Sequence, residues 1–234
     1  LFMPRAYDRA ITIFSPEGRL YQVEYALELV KRGAPIVGVS CKEGAVIAAN
    51  ETPESDLEDP EYFKKIYQLD DHVASAIAGL SSDARVLIEQ ARLNCQSNKL
   101  LYDEPLDIEV LARRLGDLAQ IYTQHAGVRP FGVSMILAGC DATGSKVITT
   151  DPSGAYRGFK ATSVGRKSEE ASKVLEEKYL DEMSLDEASR LAVEAVKVAS
   201  DAEVSAKNVK VVVVPMDTKV FRRLSEQEVG KLLS

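Results

Sequence analysis

The chain has 234 residues, with 29 Lys and Arg against 36 Asp and Glu, and a formal net charge of −7. That length supplies a core without disulfides or metal, and the acidic balance offers no basic field for a phosphate backbone, which weighs against nucleic acid as a partner. Three cysteines, Cys41, Cys95 and Cys140, cannot all pair within the chain and show no C-x-x-C spacing, so a reducing, cytoplasmic setting is expected. Neither a long apolar run nor a basic-then-apolar leader is present, and no membrane is expected as partner. Leu1 is not an initiating residue, so the native start is expected upstream.

In chain order, a short alternating piece over 10–14 leads into the turn Ser15, Pro16, Glu17, Gly18. Leu20, Val23, Leu27 and Val30 then recur at helical spacing, and Lys31 and Arg32 supply a basic last turn before a C-cap glycine, Gly33. Strand-like runs over 36–41 and 45–49, joined by Lys42, Glu43 and Gly44, predict a hairpin, and 66–69 with 73–78 predict a second. A helix is expected over 81–101, capped by its opening Ser and Asp residues, with Ala84, Leu87, Ile88 and Ala91 inward. Another is expected over 107–124, with Leu111, Leu115, Leu118 and Tyr122 on one face.

Strands return over 131–138, 146–150, 155–159 and 161–164, with a strong turn at Asp151, Pro152, Ser153 and Gly154. Helices follow over 168–179 and 184–199, the second opened by a capping box of Ser184 with Glu187. Strands over 209–214 and 218–224 and a short helix from Ser225 close the chain. The order is strands, two helices, strands, two helices, strands. It predicts an α+β fold: one four-layer αββα sandwich of two antiparallel sheets between helical layers, spanning 1–234 with no linker.

No catalytic constellation stands out. His72 and His125 are isolated, no metal-ligand spacing exists, and Cys41 and Cys140 sit in apolar strands where thiols are ordinarily core. Gly165, Arg166, Lys167 and Ser168 join a strand to a helix, yet the glycine pattern of a phosphate cradle is absent, so a turn with a Ser cap is expected. No cofactor is expected. The helix after Gly18 is additional to a complete sandwich, with Arg19, Gln22 and Lys31 on a polar face; it either covers a sheet edge or docks a neighbour.

Residues 7–26, YDRAITIFSPEGRLYQVEYA, closely resemble the signature of α subunits of the proteasome core particle. Collinear matches recur at Gly79, Leu80, Asp83, Ala84 and Arg85, at Tyr122 to Gln124, at 127–134 and at 151–154, and the whole looks most like an archaeal-type α subunit. The resemblance implies the same αββα, N-terminal nucleophile hydrolase-like fold, and a ring of seven α subunits capping rings of β subunits. In those β subunits a free N-terminal threonine cuts peptides with its own amine as base. Thr12 lies inside the chain with an amide nitrogen, so the resemblance implies a non-catalytic subunit that admits unfolded polypeptide and docks regulatory ATPases or activators.

By the same resemblance, residues 1–17 form a gate whose open arrangement is held by Tyr7, Asp8, Arg9, Pro16 and Tyr25, and 18–32 is a ring-contact helix. Lys65 receives an activator's C-terminal carboxylate in a pocket with Gly33 and Leu80. The loop of His125, Ala126, Gly127, Val128 and Arg129 narrows the axial channel. Two departures stand out. Six acids, Glu51, Glu54, Asp56, Glu58, Asp59 and Glu61, crowd 50–62 and are expected to repel an acidic partner from the docking rim. His125 and Ala126 replace the usual Tyr and Gly, which bears on the aperture of the loop. The rival readings are an amidohydrolase of this fold class using Cys41 as nucleophile, and a scaffold or chaperone ring that joins no protease.

Overall fold

The computed structural model describes residues 13–53, 55, 57–59, 62, 64–201 and 203–233. Two five-stranded antiparallel sheets form its centre. The first has the order β10-β9-β2-β1-β8, from β1 (Ile36–Cys41), β2 (Gly44–Asn50), β8 (Ala161–Val164), β9 (Val209–Pro215) and β10 (Arg222–Arg223). The second has the order β3-β4-β5-β6-β7, from β3 (Ile66–Asp70), β4 (Val73–Gly79), β5 (Val133–Asp141), β6 (Gly144–Thr150) and β7 (Tyr156–Phe159).

The alternation along each central strand explains the layering. In β5, Met135 and Leu137 point to α2 (Ser81–Tyr102) and α3 (Ile108–Tyr122), whereas Ile136 and Ala138 point into the space between the sheets. In β1, Val37, Val39 and Cys41 face α4 (Ser168–Lys178) and α5 (Leu185–Ala199), and Ile36 faces the other sheet. Strands buried on both faces read as near-continuous apolar runs, which is what 45–49 and 133–140 show. The result is the expected four-layer αββα sandwich, with α6 (Glu226–Leu233) packed on α5 and β9.

Local chemistry sets several boundaries. The Ser184 hydroxyl accepts from Glu187 N while the Glu187 carboxylate accepts from Ser184 N at 2.7 Å, completing the capping box of α5. Asp107 caps α3 through Glu109 N at 2.9 Å. Other expectations need correction. The expected Ser/Asp cap of α2 is absent: Leu80 is the N-cap residue, without a side-chain cap bond, because Asp83 is engaged by the loop before β5. Lys167, at φ 50°, rather than Ser168 is the N-cap residue of α4. The expected strand over 218–224 shrinks to β10, because Lys219 turns at φ 52° and Phe221 N donates to Asp71 O at 2.6 Å, drawing the chain to the β3–β4 turn.

Helix α1 (Tyr21–Arg32) lies against β4 and β5 through Val23, Ala26 and Val30. It begins after the expected turn, where Gly18 N donates to Ser15 O at 2.8 Å and Arg19 N donates to Ser15 Oγ at 3.2 Å. Residues 10–12 of the predicted opening strand lie outside the described residues, and Ile13 and Phe14 are irregular. Gly33 ends α1 in an extended conformation, φ −65° and ψ 152°, rather than in the left-handed one a C-cap glycine usually takes.

Candidate functional site

The end of α1, the start of β3, the end of β4 and the turn after β8 meet around a cleft of roughly 520 Å³. Gly33, Lys65 and Leu80 line it together, with Arg166 and Asp201. Lys65 is held there by its backbone. Glu51, itself buried, accepts from Lys65 N at 2.7 Å and Ile66 N at 3.1 Å, and Lys65 O accepts from Ile77 N at 3.0 Å. The side chain is only 8% exposed, and its ammonium makes no hydrogen bond or ion pair among the described residues. Burial pushes its pKa below the ordinary lysine value and the Arg166 guanidinium adds to this, while Glu51 opposes. An ammonium buried this deeply, with no hydrogen-bond partner among the described residues, is chemically suited to take an anionic group.

Arg166, expected only as part of a strand-to-helix turn, lines the cleft with Asp201, a residue that no sequence motif marks. Arg166 donates to Asp201 at 2.8 Å and to Arg32 O at 3.1 Å, and Lys167 pairs with the same Asp201 at 2.6 Å. The basic pair after Gly165 was the available signal; what it lacked was the partner 35 positions on. Both cations being taken by one carboxylate also argues against a phosphate cradle at this turn. Glu51 corrects the expected acidic rim: it is an interior strut beneath Lys65, while Glu58 and Asp59 are exposed and Glu54, Asp56 and Glu61 lie outside the described residues.

Beside the cleft, β4 and β5 end in a close backbone contact. Gly79 has φ +118°, and a Cβ there would collide with the Gly132 carbonyl oxygen, so glycine is required. Leu80 N donates to that same oxygen at 2.9 Å. Gly132 N in turn donates to Asp83 Oδ2 at 2.8 Å. Asp83 also accepts two bonds from Arg129, Nη1 to Oδ2 at 2.6 Å and Nη2 to Oδ1 at 2.8 Å. The guanidinium, then the Gly132 N–H, hold the Asp83 carboxyl below its ordinary range.

Arg129 therefore anchors the loop of the predicted constriction to α2. His125, Ala126 and Gly127 are exposed and Val128 is half-buried; His125 Nδ1 donates to Ile121 O at 3.1 Å. The one positive φ of this loop, +85°, falls on Gly127, so Ala126 does not need a glycine's freedom.

Of the predicted gate cluster, Tyr7, Asp8 and Arg9 lie outside the described residues. Pro16 is exposed in the turn before α1, and Tyr25 projects from α1, 51% exposed and stacked on Tyr21 at 6.4 Å. Arg19 sits over the Tyr21 ring and pairs with Glu24, so this end of α1 is a polar, aromatic surface.

No group of three or more His, Cys, Asp or Glu able to hold a metal occurs among the described residues. The three thiols are buried and unpaired, and burial raises each pKa, to about 12 for Cys95 and about 11 for Cys140. Cys41 is thus poorly suited to act as a nucleophile. No described helix is long and apolar enough to cross a membrane.

Two family models match the chain: that of the proteasome subunits over residues 30–214, and that of the N-terminal signature of the A-type proteasome subunits over residues 7–28. Curated relatives named as proteasome alpha subunits match along nearly the whole length. The Methanopyrus kandleri protein is 47% identical, covering 97% of this chain and 92% of the relative. The Methanothermobacter thermautotrophicus protein is 45% identical over 95% and 90%, and the Methanocaldococcus jannaschii protein 46% over 98% and 88%. With the αββα sandwich and the additional α1 in place, the chain belongs to the proteasome subunit family, in its α class of archaeal type.

Proposed function

We propose that this chain is a non-catalytic subunit of the α ring: seven copies form the outer ring of a proteasome core particle, gate the admission of unfolded protein, and dock activators or regulatory ATPases for ATP-dependent degradation. The observation that carries the docking part is the Lys65 ammonium, buried beside Gly33 and Leu80 with no ion-pair partner among the described residues. A C-terminal carboxylate can enter such a cleft end-on, and the bond formed would be charge-assisted.

In this reading 1–234 is one domain, 1–17 is the gate segment, and 18–32 carries the contact between ring neighbours. Tyr7, Asp8, Arg9, Pro16 and Tyr25 hold the open gate, and the loop from His125 to Arg129 lines the constriction beneath it. The exposed stack of Tyr25 on Tyr21 supports a contact role for α1, since large aromatics left in water are costly unless covered. The protein works in the cytoplasm, in keeping with three free thiols.

Hydrolysis falls to the β partners. Thr12 and every later threonine carry amide nitrogens, which cannot serve as the base. The purified chain is expected to leave unfolded casein intact without β subunits; cleavage would overturn this assignment. Lys65→Ala is expected to weaken a tail peptide's binding by about tenfold or more while sparing assembly, because a charge-assisted bond contributes roughly 1.5–3 kcal/mol. Unchanged affinity of a peptide with a free C-terminus, measured by fluorescence anisotropy, would contradict the docking reading.

A further inference from the structure

The docking cleft and the loop after α3 are joined through one residue, Gly132. Its carbonyl accepts from Leu80, which lines the cleft, and its N–H is held by Asp83. Leucines cover it from two sides: a Cβ on Gly132 would come 2.8 Å from Leu29 Cδ2 of α1 and 3.0 Å from Leu80 Cδ1. Asp83, 8% exposed, extends this junction outward by its two-pronged pair with Arg129, which also donates to Pro130 O at 3.0 Å. Beyond Arg129 the loop is exposed, with open space around Gly127.

Close-packed contacts of this kind transmit displacement rather than absorb it. A ligand that shifts Leu80 must either break its bond to Gly132 or carry Gly132 with it. Because Asp83 bonds Gly132 and Arg129 at once, the loop's anchor moves with them. We propose that Asp83 is a positioning residue which couples occupation of the Lys65 cleft to the placement of residues 125–129, so that a docked tail resets the width of the channel. This rests on the reading of the cleft as a tail-docking site. Linkage makes the coupling reciprocal: a polypeptide held in the channel against the loop changes tail affinity by the same factor.

The test uses the particle assembled with β subunits, carrying Ala126→Cys labelled with an environment-sensitive maleimide dye. The chain's own thiols are buried with raised pKa values, so the dye is attached at position 126 of this chain before assembly with β subunits. The probe is a short peptide with a free C-terminal carboxylate, with its C-terminal amide as control. The acid is expected to bind and shift the dye's emission. In Asp83→Asn and in Arg129→Gln the shift is expected to fall by about fivefold or more while the peptide's dissociation constant changes less than about twofold. Arg129→Gln leaves the Asp83–Gly132 bond intact and decides the matter if Asp83→Asn does not assemble. A full shift in the variants, no shift on binding to the parent, or a loss that merely follows lost affinity would overturn the coupling while leaving docking intact. Failure of the acid to bind the parent, or binding indifferent to Lys65→Ala, would overturn the docking reading and the coupling with it.

Discussion

An ammonium that is 8% exposed and touches no described anion weakens the fold that holds it, because burial disfavours its charged form. Its pKa in the folded chain lies below the ordinary 10.5, so folding favours the deprotonated amine. The penalty is fully present below the lowered pKa and is relieved as pH rises through it towards 10.5. Lys65→Met is therefore expected to raise stability at neutral pH, on the order of 1 kcal/mol by urea denaturation, while abolishing tail binding. A variant less stable than the parent would show that the ammonium is not a strained group. A carboxylate ligand favours the protonated form, so tail affinity should fall as pH rises through the lowered pKa.

Asp141 shows the opposite sign. Burial alone would raise its pKa, but bonds from Lys146, from the Thr143 hydroxyl and N–H, and from Ile108 N hold it to about 2. Its stabilising effect is present above the unfolded value near 3.8 and is lost as pH falls from there towards 2. Asp141→Ala should cost about 3 kcal/mol at neutral pH, since Lys146 keeps only Asp107, at 3.1 Å, and Ile108 N and Thr143 N lose their acceptor. It should also flatten the acid limb of a pH–stability curve.

At the scale of elements, α5 is the segment whose ends are best secured, and Ser184→Ala is expected to cost about 1 kcal/mol in thermal or urea unfolding. That helix was legible because its capping box and its face of Ala188, Ala192, Ala195 and Ala199 are local signals. The hairpin of β1 and β2 was legible for the same reason, with its Lys42, Glu43 and Gly44 turn between two apolar runs. Less legible were the features set by distant partners. Asp83 read as a cap residue until a loop 49 positions away claimed it, and the final strand shortened because Asp71 captures Phe221. The site divides similarly. Gly33, Lys65 and Leu80 were named through family resemblance and meet in one cleft, whereas Arg166 and Asp201 join it only through the fold. Glu51, read as rim charge, is interior because its carboxylate is needed by the backbone at the start of β3.

At the scale of the molecule, α1 has two faces with different tasks. Val23, Ala26 and Val30 fasten it to the sandwich, and Tyr25, Glu28 and Lys31 remain in water. A polar, aromatic outer face suits a contact between subunits better than a lid over the chain's own sheets. In the proposed ring, residues 1–17 serve as the gate. Removing residues 1–9 is then expected to raise the rate of peptide hydrolysis by the assembled particle several-fold; equal rates would remove those residues from the gate. Electron microscopy of this chain assembled with β subunits decides whether the proposed ring forms. A seven-fold ring with a central opening is expected, with α1 of each copy against its neighbour and the Lys65 cleft beside that boundary. A particle without a central opening, or one in which no neighbour touches α1, would contradict it.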